Sequence, residues 1–129
     1  PPVPARMPLV PPVVELVGAA EGQTASLVWR IAEPLSRTRA QSATFVIFGS
    51  QSPLDQAACD GCPLVFEKVM TLTYVDPQQD RFSASVPIDP GYRYTFKVRL
   101  EIGRVIGPDS NLMTMAVPSV EPAEGLKQP

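Results

Sequence analysis

Within this 129-residue chain, the residues whose type and spacing could do chemistry are the two cysteines of Cys59-Asp60-Gly61-Cys62-Pro63. Such a pair can close a tight disulfide loop, exchange disulfides with a substrate, contribute to a metal site or anchor haem. Exchange catalysts usually set the first cysteine at a helix N-terminus, which lowers its pKa; here Pro63 follows and no helical periodicity surrounds the motif. Zinc needs four ligands. The chain has no histidine, so only Asp55, Asp60 or an external group could complete the set. Haem attachment needs histidine directly after the second cysteine, and that position is Pro63. The favoured reading is a structural Cys59–Cys62 disulfide eased by Gly61, in a chain exposed to an oxidising compartment. So short a loop gains little entropic stabilisation and pins its own segment more than it supports a whole domain. A thiol–disulfide redox protein using Cys59 and Cys62 is the alternative.

Without histidine the chain lacks the commonest general base near neutral pH and every Ser/His or Cys/His nucleophile pair. Paired acids occur (Asp76 with Asp80, Asp55 with Asp60), but in turn-like sequence, where aspartate ordinarily bonds its own backbone. Gly103 and Gly107 are isolated turn glycines, unlike a phosphate-cradling loop. The expectation is a non-enzyme with no cofactor and no metal; besides the thiol redox alternative, a carboxylate-only glycosidase is left standing.

The net charge of −2 offers no basic excess for nucleic acid. No apolar run approaches the roughly 18–20 residues that span a bilayer. Membrane association is therefore expected only through a removed N-terminal lipid anchor, as in a bacterial envelope lipoprotein. Sixteen prolines are unevenly placed. Pro1, Pro2, Pro4 and Pro8 stiffen residues 1–10 into an extended linker, and residues 119–129 read as a flexible tail. Residues 11–118 remain as one domain, with an insertion at about 50–64.

The elements that would hold these residues are strands. From Tyr92 to Ile102, apolar Tyr92, Tyr94, Phe96, Val98, Leu100 and Ile102 alternate with polar Arg93, Thr95, Lys97, Arg99 and Glu101. A period of two marks a strand with one dry and one wet face, launched here by the Asp89-Pro90-Gly91 turn. Thr24 to Ala32 alternates likewise, with Ala25, Leu27, Trp29 and Ile31 on one side, and Arg81 to Ile88 puts Phe82, Ala84, Val86 and Ile88 inward. The unbroken apolar run Thr44 to Gly49 suits a central strand covered on both faces. Val13 to Val17 (ended by Gly18), Phe66 to Val75, and Asn111 to Val117 complete a set of about seven strands. Short connections favour antiparallel pairing, hence an all-β two-sheet sandwich, with a small barrel as runner-up.

Several residues in order resemble a fibronectin type III domain, an immunoglobulin-like sandwich. They are Pro11-Pro12 before the first strand, Trp29 five residues before Pro34, Ile88-x-Pro90-Gly91-x-x-Tyr94, and Gly107-Pro108-Asp109-Ser110 before the last strand. The resemblance implies that Trp29 is the core tryptophan and Tyr94 the corner tyrosine, with Phe96 beside them in the core. It departs at the insertion carrying the cysteines, and Arg-Gly-Asp is absent. Trp29 is expected to fill the core, its N–H finding one partner. Tyr92 is expected half-exposed, which keeps a carbohydrate-binding module as a further alternative.

Arg93, Lys97 and Arg99, joined by Arg104, would form a basic outer stripe, ordinarily a solvated face and less often a dock for an acidic partner. The last strand carries apolar residues on both faces, so Met113 and Met115 join the candidate interaction surface and could accept an added strand if they lie on an edge. The leading expectation is a non-catalytic, extracytoplasmic module for protein contact or spacing, its partner and oligomeric state left open.

Overall fold

The computed structural model describes residues 10–55, 63–74 and 79–119. Cys59, Cys62, Asp60 and Asp76 lie outside them. Eight strands and one helical turn are present among the described residues: β1 (Val13–Glu21), β2 (Thr24–Ile31), α1 (Arg37–Ala40), β3 (Ala43–Pro53), β4 (Glu67–Thr73), β5 (Arg81–Pro87), β6 (Tyr92–Ile102), β7 (Val105–Asp109) and β8 (Met113–Val117). They form two antiparallel sheets, one ordered β1-β2-β5 and one ordered β4-β3-β6-β7, with β8 also paired to β6. The architecture is a sandwich and not a barrel.

Alternation places the core. Trp29, Leu27 and Ala25 of β2 sit opposite Phe82, Ala84 and Val86 of β5. Phe45 and Ile47 of β3 sit opposite Leu100 and Val98 of β6. These inward side chains close the gap between the sheets, and Leu27, Trp29, Ile47, Val98 and Leu100 are fully inaccessible. Trp29 meets Phe45 edge-on at 5.4 Å between centroids and stacks with Phe82 at 6.5 Å, while Tyr74 closes on both phenylalanines. Its indole N–H has no acceptor among the described residues, contrary to the expectation that it would find one.

Toward the other end of the sandwich Tyr94 stacks on Phe96 at 5.8 Å. The Tyr94 hydroxyl accepts the Asp89 N–H at 2.7 Å and a longer Gln51 side-chain bond at 3.3 Å. A strand tyrosine reaching back to backbone a few residues upstream ties the β5–β6 turn to the sheet.

Besides β3, which runs past Gly49 to Pro53 and into the expected insertion, three elements differ from the sequence reading. First, β1 runs on through Gly18 to a hairpin at Gly22-Gln23. Gly18 is not a stop: a Cβ there would lie 2.5 Å from Met113 Cε and 2.7 Å from Leu27 Cδ2, so its bareness lets the two sheets close. Second, Val105–Asp109 is a strand, joined to β6 through Gly103 at φ 60. β7 and β8 follow one another along the same side of β6, β7 opposite Arg99–Ile102 and β8 opposite Tyr92–Phe96. They act as one strand broken at Ser110–Leu112. Third, Arg37–Ala40 makes a helical turn capped by Ser36 Oγ, which accepts the Arg39 N–H at 3.3 Å. It is too short to show periodicity.

The break between β7 and β8 has a counterpart in β1. The β1–β2 register slips between Val14 and Val17, and Glu15 takes φ 58. This bulge turns the Leu16 backbone away from β2, and Asn111 from the opposite sheet meets it. Leu16 N–H donates to Asn111 Oδ1 at 2.8 Å, and Asn111 Nδ2 donates to Leu16 O at 3.0 Å. One side chain satisfies both backbone groups of a residue that is 2% exposed.

Candidate functional site

The polar half of the β6 alternation points outward from the larger sheet, where Lys97 faces Phe48 and Arg99 faces Val46 across the β3–β6 register. Lys97 Nζ lies 4.4 Å from the Phe66 ring centroid and 5.7 Å from that of Phe48. Arg99 Cζ lies 4.7 Å from the Phe48 centroid. Both cations thus rest on aromatic faces, where the ring quadrupole attracts positive charge.

Each also has a carboxylate. Lys97 Nζ donates to Asp109 Oδ2 at 2.8 Å, and Arg99 donates through Nε and Nη2 to Glu101 Oε2, both at 2.8 Å. Val46 is only 2% exposed although it belongs to the outward set, so this layer shelters a small apolar cluster of its own. Next to it, the Thr95 and Thr114 hydroxyls bond across β6 and β8 at 3.1 Å.

The basic stripe expected from sequence lies on this outer face, and part of it is paired. Two of its cations, Lys97 and Arg99, are paired with Asp109 and Glu101 and sit over aromatic rings. Arg93 is half-buried at the far end of the strand, and Arg104 sits exposed in the β6–β7 turn. What remains is an amphipathic face rather than a net positive one. Phe48 and Phe66 were not singled out from sequence, although the outward position of Phe48 follows from the β3 alternation. The partner carboxylates come from a neighbouring strand and from a residue two places along, which periodicity does not reveal.

Met113 and Met115 are corrected. They are half-buried and pack against the core cluster, so β8 presents Thr114 and Ala116 outward instead. Trp29 is fully buried, Tyr94 is 7% exposed and Phe96 1%. Tyr92 is half-buried, as expected, tilted against Tyr94 at 6.2 Å, and lines an open concavity with Leu54, Pro90 and Pro118.

A cleft of about 230 Å³ opens between β4 and β5, floored by Tyr94 and Phe96 and walled by Val69, Val86 and Pro87. Glu67 is the one carboxylate on its lining among the described residues. Acid–base hydrolysis of a glycoside ordinarily needs two. Among the described residues no group of three or more His, Cys, Asp or Glu side chains could hold a metal ion. Among them, too, no helix is long and apolar enough to cross a membrane.

No family model matches the sequence, and no curated protein does. Solved structures do. The third fibronectin III domain of human KIAA0343 protein superposes with a TM-score of 0.54 at 18% identity, covering 97% of this chain and 98% of that one. The chain has the fibronectin type III fold. The twitchin kinase region of C. elegans matches at TM-score 0.60 and 11% identity, over 88% of this chain but 18% of that one. The chicken interferon gamma receptor alpha chain matches at 0.59 and 12% identity, over 81% and 50%. The chain thus spans half of the receptor structure and under a fifth of the twitchin one.

Proposed function

We propose that this fibronectin type III fold serves as a non-catalytic module that contacts another protein through the outer face of its larger sheet. The observation that carries this reading is the Phe48–Phe66–Lys97–Arg99 layer. Aromatic residues and arginine are enriched at protein interfaces, and unpaired charge is depleted at their centres. Here the charges are already matched by Asp109 and Glu101. The receptor chain that shares the fold lends the reading further support.

We place the module outside the cytoplasm. Cys59 and Cys62, joined as a disulfide, pin the insertion at about 50–64, and the proline-rich residues 1–10 act as a stalk holding the domain off an envelope surface. Residues 119–129 follow as a tail.

The test is site-specific photo-crosslinking of the full-length protein in its native host. A photoreactive residue at Thr44 or Ser50, outward on the larger sheet, is expected to give an adduct of defined mass. One at Ser83, on the outer face of the smaller sheet, is expected to give none. The natively purified protein is expected to hold no free thiol. Adducts from Ser83 alone, or steady disulfide-reducing turnover that disappears in C59S, would overturn the proposal.

A further inference from the structure

Open sheet edges are where a β protein meets other strands, and native edges are usually blunted by charge, proline or bulges. Four of the five outer strands among the described residues are blunted in this way. β1 carries Glu15, Glu21 and its bulge; β4 carries Glu67, Lys68 and a register shift. β5 opens on Arg81 and closes on Pro87. β7 holds Pro108 and Asp109, and Val10 is seated so closely on Gly107 that a Cβ there would lie 2.6 Å from Val10 Cγ1. β8 has none of these. Met-Thr-Met-Ala-Val contains no charge and no proline, and its pairing with β6 runs without a shift from Tyr92↔Val117 to Phe96↔Met113.

The backbone of β8 can be oriented. Gly91 N–H donates to Val117 O at 2.6 Å, so the Val117 carbonyl faces β6. Bonded and non-bonded positions alternate along an antiparallel pair, so Met113 and Met115 also bond toward β6 while Thr114 and Ala116 turn their N–H and C=O groups outward. The close Thr95–Thr114 hydroxyl contact agrees, because side chains approach most nearly at non-bonded pairs.

From this geometry we infer that β8 is a pairing edge for a second, antiparallel copy of itself. A two-fold axis through Met115 sets Thr114 opposite Ala116 of the partner, and Ala116 opposite Thr114. These are the positions whose backbone groups point outward, so both pairs can exchange two hydrogen bonds. Met115 then faces its own copy on the core side. No like charges are brought together, since β8 carries none. The β1 residue facing Met113 is Gly18, followed by Ala19 and Ala20, which are too short to obstruct an incoming strand. The product is one continuous sheet in which the outer faces of two larger sheets adjoin. This inference stands apart from the contact face proposed above, and neither result decides the other.

Five residues a side bury little area, so the dimer belongs to the weak class, with dissociation constants on the order of 10–1000 μM. Sedimentation equilibrium of the full chain between about 10 μM and 1 mM is expected to show the mass rising toward the dimer. Ala116→Pro removes an outward donor without touching the β6 ladder, and is expected to stay monomeric across that range with its thermal midpoint retained. Ser85→Lys, on the β5 edge, is expected to dimerise like the parent.

Amide exchange supplies a readout on the unaltered chain. Thr114 and Ala116 should exchange roughly two- to sevenfold more slowly at the highest concentration than at the lowest, the factor by which the free-monomer share falls across that range. A parent that stays monomeric to 1 mM, a dimer that persists in Ala116→Pro, or protection of these amides that ignores concentration would each overturn the inference. The last outcome would mean that residues 120–129 of the same chain cover the edge.

Discussion

Trp29→Ala is expected to cost about 3–5 kcal/mol, the usual loss for deleting a buried aromatic and leaving its cavity. The indole is wholly inaccessible and meets Phe45 and Phe82, which themselves touch at 4.5 Å, so no flexible neighbour stands ready to collapse into the gap. Against a total stability of roughly 5–15 kcal/mol, that loss removes a large share of the folded population's margin. For a domain of this size the thermal midpoint should fall by more than about 12 °C, which scanning calorimetry would read directly.

Trp29→Phe separates packing from polarity. It keeps a ring against Phe45 and Phe82 and deletes a buried donor that has no acceptor among the described residues. The expected cost is well under that of alanine. Equal damage from the two variants would show that the N–H is satisfied after all.

Asn111→Leu is expected to cost roughly 2–4 kcal/mol, because an apolar side chain of similar size leaves both Leu16 backbone groups without partners at about 1–3 kcal/mol each. Asn111→Asp keeps the acceptor for Leu16 N–H, loses the donor to Leu16 O and should fall between the two. Urea unfolding gives the energies, and accelerated exchange of the Leu16 amide in Asn111→Leu gives the location. A leucine variant within about 0.5 kcal/mol of the parent would mean that water replaces the asparagine and that the contact between sheets contributes little.

The parts of this fold that were legible in the sequence are those where a side chain's neighbours are set by its own strand. Alternation from Tyr92 to Ile102, Thr24 to Ala32 and Arg81 to Ile88 assigned inward residues correctly because a pleated strand exposes alternate faces whatever it pairs with. Gly18 and the Gly107-Pro108 pair read as interruptions because glycine and proline usually are. Here Gly18 is explained by a methionine from another sheet, and Gly107 by a valine from before the first strand.

The partners of the candidate surface were hidden for the same reason. The ring partner of Arg99, Phe48, lies on β3, more than fifty positions back, where periodicity along β6 does not reach. Met113 and Met115 looked available because an apolar strand can turn either face to the core, and only its register with β6 decides which. Asn111 carried no signal at all. An asparagine in a loop normally bonds its own backbone, and nothing local marks one that reaches ninety-five residues away.

The cation–aromatic layer has a consequence for how the molecule meets anything that touches it. Lysine and arginine are among the side chains that surrender most rotational freedom when immobilised at an interface, about 0.5–1.5 kcal/mol apiece. Lys97 and Arg99 have surrendered it already on folding, each clamped between a ring and a carboxylate. A docking partner would thus find this patch preorganised, its entropic toll met before the encounter, and association should resemble the closing of two rigid surfaces more than mutual adjustment.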